Sequence, residues 1–116
     1  MSLWKWNDVE LEIDLEDLDF QERYEEAFTN MAAAEESLKK VGKISEITKG
    51  YCEMFERLFD DIFGAGTSEK LFNGKKNTRV TDECYDSFMA VCKKDAAAAT
   101  KRKASQYAKY KVKSRK

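Results

Sequence analysis

Apolar and acidic side chains take turns near the start of the chain. Val9, Leu11, Ile13 and Leu15 alternate with Glu10, Glu12, Asp14 and Glu16, a period of two that gives a strand one apolar and one acidic face. Upstream, LWKW leads into Asn7-Asp8, a pair suited to a two-residue turn, so residues 1–16 are predicted to form a hairpin. The period then changes to about 3.6. Phe20, Tyr24, Ala27, Phe28, Met31, Ala34, Leu38 and Val41 predict a helix over 19–41, opened by Asp19 with Glu22 as a capping box and stopped by Gly42. Ser45 is placed to cap a second helix over 45–63, striped by Ile47, Tyr51, Met54, Phe55, Leu58, Phe59, Ile62 and Phe63. Gly50 inside it costs up to about 1 kcal/mol relative to alanine, so packing must hold this helix. A short amphipathic turn from Ser68 to Phe72 follows. The last helix is predicted over 79–108, burying Val80, Cys84, Phe88, Val91 and Cys92 before a basic, frayed tail over 109–116. The pattern describes one domain over 1–116, mainly α, with a small N-terminal β-hairpin followed by three long helices and a short connecting helix.

Composition supports a packed interior, because seven Phe, five Tyr and two Trp supply more aromatic surface than a disordered chain carries. No apolar run reaches the ~18 residues of a membrane span and no apolar leader precedes the acidic front, so a cytosol is the expected compartment and no membrane partner is expected. Charge is distributed unevenly. Residues 1–36 hold twelve acids against Lys5 and Arg23, while residues 93–116 hold ten bases against Asp95 alone. Such asymmetry points to an electrostatic partner for one end, or to copies meeting head to tail.

The segment FGAGTSEKLFNG, Phe63 to Gly74, raises the question of a phosphate-binding loop. The Walker arrangement needs a Gly-Lys-Ser/Thr triplet after a strand; here Thr67, Ser68, Glu69 and Lys70 follow the glycines, and the preceding element is helical. Glu69 also puts a carboxylate where an anion would sit. The segment is therefore expected to be a helix corner, with a left-handed Gly64 or Gly66 and a cap from Thr67 or Ser68. With no histidine, three scattered cysteines (Cys52, Cys84, Cys92) and no acid–base pair in view, neither catalysis nor a metal or other cofactor is expected. The acidic row lacks the mid-loop glycine and terminal Glu of a calcium loop.

FGAGTSEKLFNGKKN resembles the segment FGxGTxxxLFGGKxN of siphophage tail assembly chaperones, found in phages and prophages of low-GC Gram-positive bacteria. VELEID in the strand, RYEEAF opening the first helix and CEMFERLFDDIFG in the second extend the resemblance over roughly residues 8–92, with Asn73 standing where the pattern has glycine. The resemblance implies a helical, non-catalytic protein in the cytoplasm of the bacterial host, absent from the mature virion. It implies two partners: a tape measure protein, which such chaperones coat, and tail tube subunits, which they help recruit.

Residues read on their own add candidate surfaces. Phe55, Phe59, Leu71 and Phe72 are candidates for gripping an amphipathic partner. The acidic row Glu10, Glu12, Asp14 and Glu16 is expected to meet Lys101, Arg102, Lys103, Lys109 and Lys111 of a neighbouring copy, making a homo-oligomer. Two alternatives stand beside this reading: a nucleic-acid-binding module using the basic C-terminal helix with Tyr107 and Tyr110, and a generic oligomeric adaptor. Nucleic acid is the weaker expectation, because the acidic third would repel it.

Overall fold

A computed structural model describes residues 1–114, with side chains through residue 110. The order is β1 (Ser2–Trp6), β2 (Val9–Ile13), α1 (Leu18–Leu38), α2 (Ile44–Phe63), α3 (Thr67–Phe72) and α4 (Thr78–Ser114). The architecture is mainly helical with an N-terminal two-stranded antiparallel hairpin, as the residue pattern predicts.

The hairpin closes on Asn7-Asp8, with Trp6 opposite Val9 and Ser2 opposite Ile13. Asn7 takes φ 53°, a left-handed value that asparagine tolerates better than most residues. The strand stops at Ile13, short of the alternation's end. Leu15 turns its N–H to the Asp95 carboxylate at 2.8 Å, and Asp14 accepts from the N–H of Glu16 at 3.1 Å. Asp14 and Glu16 thus sit in the connection to α1, outside the acidic strand face expected of them.

Helix ends differ from the expectation. Asp17, not Asp19, caps α1, accepting the Phe20 N–H at 3.0 Å. Asp19 lies inside the first turn and pairs with Arg23. α1 ends at Leu38, and its last turns close through Lys40 and Val41 N–H groups on Ser37 and Leu38 carbonyls rather than through Gly42. α2 begins at Ile44 after Lys43, with no side-chain cap from Ser45. α4 runs on through Ser114, past the 79–108 bound, so most of the tail expected to fray is helical; residues 115–116 lie outside the described residues.

α1 lies antiparallel on α2: Phe20 meets Phe63, Asn30 meets Asp61, and Leu38 meets Gly50. A Cβ on Gly50 would run into the end of the Leu38 side chain, so a larger residue there would require Leu38 to shift. α4 runs in the same sense as α2, through Cys52–Thr81, Phe55–Tyr85 and Phe59–Phe88. The hairpin closes this layer. Trp4 stacks on Phe59 at 5.3 Å and meets Phe88 edge-on at 5.2 Å, while its indole N–H donates to Ser87 Oγ at 3.0 Å. Such ring pairs add about 0.5–1.5 kcal/mol each beyond simple burial.

Candidate functional site

Three regions carry the sequence-level candidates: the glycine corner, the aromatic stripe and the charged ends. At the corner, Gly64 (φ 113°) ends α2 and Gly66 (φ 92°) opens α3, values that side-chain-bearing residues rarely adopt. Thr67 Oγ1 donates to the Gly64 carbonyl at 2.7 Å and so braces the turn instead of capping α3. The cap comes from Asp60, whose two carboxylate oxygens accept the Ser68 N–H at 2.8 Å and the Ser68 hydroxyl at 3.0 Å. A carboxylate already occupies the place a phosphate would take, so the corner does not present an anion site. At the far side Asn73 takes φ 51°, ψ 37°, and Asn77 Oδ1 accepts the Val80 N–H at 3.1 Å to start α4.

The four aromatic and aliphatic residues expected to grip a partner are interior. Phe59 and Leu71 are fully buried, and Phe55 and Phe72 nearly so. Phe59 lies under Trp4 and against Phe88 and Phe72, and Phe55 against Tyr51 and Tyr85. The hairpin and α4 cover the stripe, and none of these side chains is left to a partner. Exposed apolar groups lie elsewhere, at Leu3, Leu18, Ile44, Ile47 and Tyr107.

The charged ends meet within one chain. Arg102 Nε lies 2.9 Å and 3.2 Å from the two Glu16 carboxylate oxygens, and its Nη2 also donates to Oε1. This fork-on-carboxylate geometry is the strong form of the interaction. Arg102 hydrogen bonding holds Glu16 below the usual carboxylate range. Glu10 pairs with Lys5 across the hairpin at 3.3 Å, while Glu12 stays on the exposed side of β2. Lys101, Lys103 and Lys109 are exposed on α4, and the side chain of Lys111 lies outside the described residues. The contact expected between copies is thus made in cis for Glu16 and Arg102, because α4 leaves the body beside the hairpin's exit.

Asp95 is the functional-looking group the sequence reading missed. It is 2% exposed and accepts from the Leu15 N–H at 2.8 Å and the Ser2 hydroxyl at 2.7 Å, with the Met1 ammonium 3.1 Å away. Burial pushes its pKa up, but these donors override that and hold it below the ordinary carboxylate value. Its position as the lone acid in a basic run was the only signal. The thiols of Cys84 and Cys92 are pushed up to about 12 by burial, and Cys52 is also buried and unbridged; these are packing groups, not nucleophiles.

Beyond Asp95, α4 stands clear of the body. No residue from 96 to 110 is buried, and only Ala99 and Gln106 are half-covered. The molecule measures 68 × 32 × 22 Å as a result. A second open feature lies between the C-terminal half of α1 and α2. Two adjoining hollows of about 540 and 490 Å³ share Ala34, Ser37 and Arg57, and form one groove floored by small residues including Ala33 and Gly50.

Fold and surface together define a small, mainly helical protein with a hairpin lid over its core, open surface grooves and a projecting basic helix. The chain belongs to DUF6673, a family of unknown function, whose profile matches residues 7–116. Neither the comparison with characterised proteins nor that with solved structures gives a match.

Proposed function

We propose that the protein is a tail assembly chaperone of a siphophage or prophage, acting without catalysis in the bacterial cytoplasm. It coats the tape measure protein, helps recruit tail tube subunits and leaves before the virion is complete. The observation that carries this reading is the corner, where nearly every fixed position of FGxGTxxxLFGGKxN has a structural task. Phe63 packs on Trp4, Gly64 and Gly66 take positive φ, Thr67 ties back to Gly64, Leu71 and Phe72 enter the core, and Asn77 starts α4. Asn73 departs from the pattern, yet holds the left-handed conformation that a glycine would supply there. These tasks account for the residue types at the corner, and that supports the reading.

Because the aromatic stripe is interior, the chaperone would hold its client through exposed helix faces and not through Phe55, Phe59, Leu71 or Phe72. The test is co-expression with a candidate client, a long, helical tape measure protein. The client should move to the soluble fraction and copurify with this chain; an unchanged insoluble fraction refutes the assignment. The projecting basic helix, with Lys101, Lys103, Lys109 and exposed Tyr107, favours nucleic acid as the second reading. DNA binding that falls steeply with salt and is lost on deleting residues 101–116 would put it first.

A further inference from the structure

α1 and α4 both pack on α2, and a trough paved with rings runs between them. Tyr24 lies against Phe28 at 4.7 Å, and Phe28 reaches across to Tyr85 at 6.5 Å. Tyr85 and Tyr51 both rest on the buried Phe55, at 4.8 and 5.1 Å. Phe55 is thus roofed, whereas Tyr24, Phe28, Tyr51 and Tyr85 stay half-buried. Met31 and Met89, a turn from Phe28 and Tyr85, are half-buried too, and Ile47, a turn before Tyr51, is 40% exposed. The hairpin occupies the other flank of α4: Ser87, which accepts from the Trp4 indole, lies two residues and so about 200° around the helix from Tyr85. From Ile47 to Phe59, level with Phe88, α2 rises about 18 Å, or roughly three helical turns.

The surroundings select the occupant. Helices border the trough, so no strand edge offers its backbone to an extended peptide; a helix laid there completes a four-helix bundle. Exposed acids rim both sides. Glu25 and Glu35 stand three before and seven after Phe28 on α1, and Asp82 and Asp86 flank Tyr85 on α4, with Asp82 accepting from the Tyr51 hydroxyl. Cations lie beyond these acids: Lys93 past Met89, Arg79 before Asp82, and Lys39, Lys40 and Lys43 toward the Ile47 end. The middle turns therefore suit an apolar stripe flanked by lysine or arginine, and repel phosphate. The projecting helix of a second copy does not meet that need, because from Ala96 to Lys109 its one apolar side chain larger than alanine is Tyr107.

We infer that this aromatic trough is the docking face for a client and takes one amphipathic helix whose apolar stripe is flanked by basic residues. The inference rests on the chaperone reading, under which that helix belongs to the tape measure protein. The rings press on the stripe while Glu25, Glu35, Asp82 and Asp86 meet its basic flanks. Tyrosine suits such a face, since it offers a flat apolar ring and a polar tip.

Co-expression of the full chain with a candidate tape measure protein tests it. Glu25→Lys combined with Asp86→Lys should melt like the parent yet recover about tenfold less soluble client. Glu26→Lys combined with Glu83→Lys makes the same charge change on the same two helices, each site about 200° around from Phe28 or Tyr85, and should recover client as the parent does. If the trough variant melts early, Glu35→Lys alone carries that arm. Parental recovery by a folded trough variant overturns the inference and leaves the chaperone reading standing; an equal loss in both double variants overturns it too. A parent that recovers no client refutes the chaperone reading, and the docking face falls with it. A parent that self-associates without client, beside a trough variant that does not, assigns the trough to a second copy and overturns the inference.

Discussion

The two halves of α4 form one continuous helix with opposite characters. Up to Asp95 its seam of Thr81, Cys84, Phe88 and Cys92 is buried under Trp4 and α2. Past Asp95 the same seam continues as Ala99, Arg102 and Gln106, and nothing apolar remains for the body to cover. The first half is helical because packing holds it; the second depends on the intrinsic helix preference of alanine, lysine and arginine. Asp95 marks the change, a buried carboxylate at the point where core contact ends. A helix can therefore leave its domain without a glycine or proline, when the residues on its inner seam change from apolar to polar.

Removing a ring from the first half has the largest expected effect. Phe88→Ala should cost about 3–5 kcal/mol, read as a lower urea midpoint, whereas Ala97→Ser in the second half should leave the midpoint in place. Asp95→Ala comes next, at about 1.5–3 kcal/mol, because it strands the Leu15 N–H and the Ser2 hydroxyl. Its acid dependence follows from the lowered pKa: the folded value lies below the unfolded one, so the stabilisation is complete above the ordinary carboxylate value of 3.8 and is lost as pH falls through the folded value. Thermal melts from neutral pH downward should show a shallower acid loss in Asp95→Asn than in the parent.

Gly66→Ala should destabilise by about 1–2 kcal/mol through the left-handed backbone alone, with no lost contact. Arg102→Ala is the mildest. Melting should barely move, while amide exchange over residues 96–110 should quicken, since the Glu16 fork is the tie that an arginine-to-alanine change releases. If exchange there is unchanged, the projection is held by its own propensity and the clamp has no part in it.

Much of the fold was legible in the residues. Period-two alternation located the hairpin, and the stripes at three and four located the helices, because each pattern reports the face an element buries. Cap positions were less legible: Asp17 and Asp19 are chemically alike, and the choice between them depended on where Leu15 and Glu16 turned. The charged ends were legible as charge, but whether Glu16 meets Arg102 of its own chain depends on the angle at which α4 leaves the body. Phe55 and Phe59 read the same whether a partner or the rest of the chain covers them, so only the seating of Tyr85 on Phe55 and of Trp4 and Phe88 on Phe59 settled their burial. Asp95 was the least legible, since its partners are a backbone N–H 80 positions away and a serine 93 away.

The same separations set the order of events at the ribosome. α1 and α2 can pair as soon as both have emerged, since their contacts are local in the chain. The hairpin can meet Phe59 and Phe63 once α2 has emerged, but it lacks Phe88 and Asp95 until α4 is synthesised. Until then Trp4 is covered from the α2 side alone, and this core is completed only as the first half of α4 leaves the exit tunnel.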